Sequence, residues 1–292
     1  MGTIAARAES LLAAAVVATT PVAGGDVCTA IRLRLSDGRS AFLKTRAHAP
    51  AEFFAAEARG LRWLADAPGG APVPDVLAVA PDCLILSWVE VSAPTADAAE
   101  RFGSELAATH RAGADAFGAL EDGFIGSLPL PNAAAPDWAD FWATRRVEPY
   151  VKAASDRGAL ERRDRASIES VLDRMSDLAG PPEPPARIHG DLWAGNLVWN
   201  NTGAVSLVDP AAHGGHRETD IAMLALFGAP HLPRILDSYH EAFPLSAGWE
   251  ERVPLHQLHP LLVHTTLFGG GYGARAGQAA RALLAGTAAE PT

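Results

Sequence analysis

The chain has 292 residues, 48% of them hydrophobic, enough to bury a full core in one large domain or two modest ones. Its formal charge of −10 argues against the basic stripe of an extended nucleic-acid surface, but not against a nucleotide site, which needs only a few local cations. Cys28 and Cys83 lie in strand-like apolar contexts, which fits reduced core thiols better than a disulfide, and no CxxC spacing suggests zinc.

Residues 3–15 read as an Ala-rich helix capped by Thr3. The run from Leu11 to Ala18 imitates a short signal peptide, but Glu9 sits badly in a positive leader. Cleavage there would also remove residues 16–21, which read as the first strand. No apolar run reaches transmembrane length, and a soluble cytoplasmic protein is expected. Gly24-Gly25 follows, then strands over 27–35 and 40–45 joined by a turn at Ser36-Asp37-Gly38-Arg39, with Lys44 near the end of the second. Residues 51–66 read as a helix, and 76–80 and 83–88 as two further strands.

Beyond Glu90 the pattern becomes helical. Helices are expected over 95–111, 137–154, 161–178, 219–227, 232–243, 252–268 and 274–285, with a Gly/Pro/Asn-rich connection over 123–136 and a stiff Pro-rich spacer over 181–185. The fold class is α+β: a small β-rich lobe with one long helix over residues 1–90, then a larger, mainly helical lobe over 91–292.

The densest chemistry lies at His189-Gly190-Asp191-Leu192-Trp193-Ala194-Gly195-Asn196, closed by Val208-Asp209-Pro210. Residues 197–200 and 205–208 are short apolar runs around the turn-forming Asn200-Asn201-Thr202-Gly203, a hairpin pattern. Antiparallel pairing makes Asn196 and Asp209 neighbours, with Asp191 on the loop before. One carboxylate for a hydroxyl proton and two oxygen ligands for Mg2+ are what phosphoryl transfer from ATP needs. Upstream, Phe53, Glu57, Leu61 and Leu64 share a helix face. A glutamate on an apolar stripe calls for a cationic partner, and Lys44 fits, as a phosphate-binding pair; the alternatives are a structural ion pair or a solvated helix edge. Gly24-Gly25 suits backbone approach to phosphates, or a plain turn; the GxxxxGK[ST] pattern is absent. Ser87-Trp88-Val89 could offer hinge backbone to an adenine. Asp220 reads as structural, a buttress of the Asp191 loop, while Arg217 and Glu218 fit substrate contact and lobe ion pairing equally. His213/His216 and His256/His259 lack a convincing third metal ligand. Trp138, Phe141, Trp142 and Tyr150 read as core, with one as a candidate floor of a sugar site.

Taken together, these motifs resemble the fructosamine kinase/ketosamine-3-kinase family, a branch of the kinase-like aminoglycoside and choline phosphotransferases. The resemblance spans nearly the whole chain. It includes Phe42-Leu43-Lys44, Glu57-Ala58-Arg59-Gly60-Leu61, Phe124-Ile125-Gly126, Asp137-Trp138-Ala139-Asp140-Phe141-Trp142, the run from His189 to Asn196 with Trp193, Asp209-Pro210-Ala211, Arg217-Glu218-Thr219-Asp220, and Leu267-Phe268-Gly269. It implies a two-lobed protein-kinase-like fold with Asp191 as base, Asn196 and Asp209 as Mg2+ ligands, and Lys44 with Glu57 on the α/β-phosphates. Gly24 and Gly25 would cover ATP, Ser87, Trp88 and Val89 would meet its base, and Trp193, Arg217 and Glu218 would meet the acceptor. The implied reaction is phosphorylation of a ketosamine at its 3-hydroxyl, on a free or protein-linked amine, by a monomer. Alternatives are a kinase of an aminoglycoside, amino sugar or amino alcohol, and a silent nucleotide-binding pseudokinase. The chain departs from the family at Ser87, where an acidic residue is common, at Leu130-Pro131-Asn132, and at His213-Gly214-Gly215-His216, which puts acceptor choice in question.

Overall fold

A computed structural model describes residues 4–23 and 27–286; Thr3, Gly24 and Gly25, singled out above, lie outside the described residues. Helix α1 (Ile4–Leu12) ends at Ala13, whose φ of 50° is left-handed, so it stops short of the expected 15. Strands β1 (Val16–Val22), β2 (Thr29–Leu35) and β3 (Ser40–Thr45) lead to helix α2 (Phe53–Ala65), followed by β4 (Val76–Ala80) and β5 (Cys83–Ser87). They form one antiparallel sheet in the order β1-β2-β3-β5-β4. Strand side chains alternate between faces. Leu33, Leu35, Ala41, Leu43 and Ile85 pack toward α1, while Leu84 and Leu86 pack under α2 with Phe53, Phe54, Ala58 and Leu61. Central β5 is covered on both faces, which is why it reads as an unbroken apolar run. On β3, Phe42 opposes Leu86 and Lys44 opposes Leu84, so alternation turns Lys44 toward α2.

The helical part begins with α3 (Ala96–Arg111), capped by Thr95, whose side chain accepts from Ala98 N. The connection over 123–136, expected to be irregular, holds a small hairpin of β6 (Gly123–Ile125) and β7 (Leu128–Leu130), turned at Gly126 with φ 55°. The helix expected over 137–154 is three pieces: α4 (Trp138–Phe141), a π-helical segment (Trp142–Val147) and α5 (Glu148–Asp156). Pro149, in the first turn of α5, lacks the N–H that would continue the ladder. The helix expected over 161–178 splits into α6 (Arg162–Leu172) and α7 (Met175–Leu178).

Strand β8 (Ala186–Ile188) leads into the 191 loop and a 3₁₀ turn (Ala194–Asn196), followed by β9 (Leu197–Trp199), β10 (Val205–Leu207) and β11 (His213–Gly215). Helices α8 (Glu218–Phe227), α9 (Leu232–Ala242), α10 (Trp249–Phe268) and α11 (Tyr272–Gly286) complete the chain. One core joins α3, β9, β10, α8 and α9 around Phe102, Leu106, Leu207 and Tyr239. Another joins the β6–β7 hairpin and α4–α7 to α10 and α11. This is the two-lobed, protein-kinase-like α+β fold that the sequence leads one to expect. Among the described residues, no helix is long and apolar enough to cross a membrane.

Candidate active site

The β9–β10 hairpin forms as read. Asn200 Oδ1 accepts from Thr202 N at 3.0 Å and Ala204 N at 3.1 Å, and Gly203 takes φ 74°, which is Asx-turn chemistry. Its register is sharper than expected. Leu197 opposes Leu207, and Val208 N donates to Asn196 O at 3.1 Å, so Asn196 faces Val208 and Asp209 comes one residue later. Asp209 then turns through a left-handed φ of 55°, a strained conformation for a non-glycine residue. Both Asn196 and Asp209 line a cleft of ≈ 490 Å³.

The loop at 189–191 is held from below. Asp220, fully buried at the start of α8, accepts from His189 N at 2.7 Å, Gly190 N at 2.9 Å and His110 Nε2 at 3.1 Å. Burial alone would raise its carboxyl, but the His110 contact and these backbone donors hold it below the ordinary value. This is the buttress expected of Asp220. His189 Nε2 donates to Val208 O at 2.9 Å and its Nδ1 accepts from Asp191 N at 3.2 Å, tying the loop to the strand that ends at Asp209. Gly190 has φ 81°, and a Cβ there would collide with the Ala211 carbonyl oxygen. Asn196 Nδ2 donates to the backbone O of Asp191 at 2.8 Å and to its Oδ2 at 3.3 Å. Burial, and after it the Asp209 charge, pushes the Asp191 carboxyl up to about 7.

The sheet supplies the opposite wall. Lys44 Nζ donates to Glu57 Oε1 at 2.9 Å, Glu57 Oε2 at 2.8 Å and Asp209 Oδ1 at 2.8 Å. Burial disfavours the ammonium, but the Glu57 and Asp209 carboxylates outweigh it and hold Lys44 above its usual value. Lys44, Glu57, Asp191, Asn196 and Asp209, distant in sequence, therefore face one cavity. Val22, Ala23, Val27 and Cys28, which flank the two glycines outside the described residues, line it too. So do Ser87, Trp88 and Val89. The Ser87 side chain is committed, accepting from Asp75 N at 2.9 Å. Trp88 is sandwiched by Arg32 at 4.3 Å and Phe42 at 6.3 Å. Val89 makes no backbone bond to another described residue, and neither does the Trp88 carbonyl.

Aromatic side chains line the cleft as well. Trp193, 40% exposed, folds over Gly195 and meets Phe227 edge-on at 6.1 Å. Phe124, Ile125, Asn132, His264, Leu267 and Phe268 also line it. The sequence reading did not assign these to the site, although Phe124-Ile125-Gly126 and Leu267-Phe268-Gly269 were visible as family motifs. His264 carried no signal, being one of three histidines on α10, a helix that also holds Glu250, Glu251, Arg252 and Gln257.

Arg217 and Glu218 are corrections. Neither lines the cleft. Arg217 pairs with Glu183 at 2.6 Å, bonds the carbonyls of Phe243 and Pro244, and stacks on the Phe243 ring at 4.0 Å. Glu218 is held by Arg252 Nε at 2.9 Å and Nη2 at 2.6 Å. Both point away from the cavity because the first turn of α8 is buried on all sides. His213, the start of the stretch suspected of choosing the acceptor, pairs with Ile188 across β11–β8 and is also buried outside the cleft. Trp138, Phe141, Trp142 and Tyr150 are core and none of them lines it. Glu218 does supply a third group between His216 and His256, with ligand atoms within 4.8 Å of one another. Arg252 already occupies both of its oxygens, so an ion-pair network explains the cluster.

Sequence comparison agrees with this geometry: residues 3–286 match the fructosamine kinase family. This chain belongs to the fructosamine kinase family. A probable ketoamine kinase of Enterococcus faecium is 33% identical over 263 residues, 88% of this chain and 92% of that protein. One of Thermus thermophilus is 35% identical, covering 86% and 88%. Among solved structures, a Thermobifida fusca protein named for fructosamine-3-kinase superposes with a TM-score of 0.92 at 49% identity, covering 97% of this chain and 99% of that one. The fructosamine kinase family member described here thus shares its fold with the Thermobifida fusca protein.

Proposed function

We propose that this protein transfers the γ-phosphoryl group of ATP to a hydroxyl of a ketosamine, at O3, on a free or protein-linked amine. The observation that carries the reading is the meeting of Lys44–Glu57, Asp191, Asn196 and Asp209 in one cleft also lined by Phe124, Trp193 and Phe268. Lys44, fixed by Glu57, holds the α/β-phosphates, residues 24–25 cover the nucleotide, and residues 87–89 meet its base. The Mg2+ ligands are Asn196 and Asp209. Their chemistry fits: Asn196 spends its Nδ2 on Asp191, which leaves Oδ1 as an oxygen donor, and the Asp209 carboxylate is 48% exposed. When bound, the ion would neutralise charge on the phosphates.

Asp191 is the catalytic base. It takes the proton of the acceptor hydroxyl as that oxygen bonds to the γ-phosphorus. The bond from phosphorus to the ADP oxygen breaks, leaving ADP and the phosphorylated sugar. The cleft carries three carboxylates (Glu57, Asp191, Asp209) against one ammonium (Lys44), which favours a cationic amine on the acceptor. Trp193 offers a face for the sugar or the amine. The two lobes divide near residue 90, and the enzyme acts as a cytoplasmic monomer.

The test is acceptor profiling with Mg-ATP on a ribulosamine, a fructosamine and an aminoglycoside, with the phosphate position assigned by NMR. Turnover of the ketosamines with phosphate on O3 is the expected result. Turnover of the aminoglycoside alone would move the assignment to a related amine kinase, Mg-ATP binding in calorimetry with no acceptor turned over would make the chain a nucleotide-binding pseudokinase, and failure to bind Mg-ATP would overturn the reading.

A further inference from the structure

Helix α2 carries Glu57, yet its own first turn is poorly anchored. The N-cap residue Glu52 is left-handed, φ 65°, and gives no side-chain cap, so the helix start rests on backbone bonds, Phe53 N to Pro50 O at 3.2 Å and Ala56 N to Glu52 O at 2.8 Å. Glu57 nonetheless reaches Lys44 with both carboxylate oxygens. Besides the sheet beneath Phe54, Ala58 and Leu61, two contacts from outside the sheet brace it. Toward its C-terminal end, Gly60 lies directly on the segment after Asp209, where a Cβ would come within 3.3 Å of Ala212 Cβ and 3.4 Å of Pro210 Cγ. At the N-terminal end, Phe53 packs on Phe124 of β6 with ring centroids 5.1 Å apart and planes at 60°. Phe53 is one turn before Glu57 on the same face, at i and i+4. Arg46 covers the Phe53 ring from 4.9 Å, and Glu121, just before β6, pairs with Arg59 of α2 at 2.7 Å. Phe53, Glu57 and Phe124 all border the cleft.

We propose that Phe124 is a positioning residue for the nucleotide: through Phe53 it fixes the first turn of α2, and with it Glu57 and Lys44. The β6–β7 hairpin, which lies in the chain after α3, thereby completes a phosphate site built in the sheet. The exposed Arg59–Glu121 pair adds little by itself; the aromatic contact carries the load. This inference rests on the reading that Lys44 binds phosphates. It differs from a role for Phe124 as a wall for the acceptor, because it has consequences when no acceptor is present.

The experiment is MgADP affinity by calorimetry without acceptor, for the wild type, Phe124→Ala, Phe124→Leu, Phe124→Tyr, Glu57→Gln and the double variant Phe124→Ala/Glu57→Gln. Circular dichroism and unfolding temperature check that each variant is folded. Phe124→Ala should weaken MgADP roughly three- to tenfold, the worth of one aromatic pair, and Phe124→Tyr should stay near the wild type. The double variant should bind no more weakly than Glu57→Gln alone, since one effect acts through the other. Should Phe124→Ala fail to fold, Phe124→Leu carries the same comparison. Unchanged MgADP affinity in the folded variants, or fully additive effects, overturns the inference alone. No MgADP binding by the wild type overturns the proposed function and this inference with it.

Discussion

Lys44 and Glu218 are both buried charged residues locked into two-oxygen ion pairs, and both stand in motifs shared with the family. Their surroundings differ. Lys44 binds Glu57 at 2.8–2.9 Å and then Asp209, whose carboxylate is 48% exposed on the cleft. Glu218 binds Arg252 at 2.6 Å and approaches His256 at 3.2 Å, in a network roofed by Trp138, which stacks on His256 at 4.7 Å. One pair presents an edge to a cavity and the other presents none. Burial and pairing mark both clusters equally; access to a cavity separates a site from a strut.

The sharpest break in this comparison is at Asp191. Asp191→Asn should lower turnover by roughly 10²–10⁴-fold, as loss of a general base does, with MgADP affinity near that of the wild type. Steady-state kinetics and calorimetry on the same preparation check both halves, and undiminished phosphorylation would remove Asp191 from the role of base. Next comes the closed cluster. Glu218→Ala leaves Arg252 buried without its carboxylate, which should cost roughly 3–5 kcal/mol of stability in urea unfolding, while the folded protein keeps its MgADP affinity. Lost affinity with intact stability would reverse the assignment of Glu218 to the frame.

The smallest effect, taken per pH unit, concerns the buried histidines. Burial, with neighbouring positive charge from His256 at one and Arg146 at the other, lowers His216 and His259 to about 3. Unfolded, each titrates near ~6.5. Between those values the unfolded chain binds more protons than the folded one, so stability falls as pH drops from about 6.5 toward 3. Each histidine contributes a slope of about 1.4 kcal/mol per pH unit. His259→Leu should flatten the dependence by about one proton, measured by urea unfolding at a series of pH values. An unchanged slope would show that His259 does not contribute.

Much of the site was legible in the sequence because its parts are local. The turn chemistry of residues 200–203 produces the hairpin, and the spacing of Phe53, Glu57 and Leu61 places a carboxylate among apolar neighbours. Strand alternation puts Lys44 on the same face as Phe42, the face α2 covers. Arg217 and Glu218 stayed open between substrate contact and ion pairing because a charged run at a helix start looks the same whether it faces solvent, a cleft or a buried partner. Their partners, Glu183 and Arg252, lie 34 residues away in each case. The β6–β7 hairpin hid in a Gly- and Pro-rich connection too short to show a period, and Pro149 converted an expected helix into a π-segment.

What the sequence determined by itself was the inventory: a sheet-rich first part, a helical remainder, a lysine and glutamate bound to pair, and a hairpin ending in oxygen ligands. Local propensity and side-chain periodicity suffice for that, since each acts within a few residues. The tertiary structure alone decided which charges face the cleft, that Asn196 sits opposite Val208 rather than Asp209, and that Phe124 braces the helix carrying Glu57. Those outcomes depend on which surfaces exclude water from one another, and burial is a property of the packed chain as a whole.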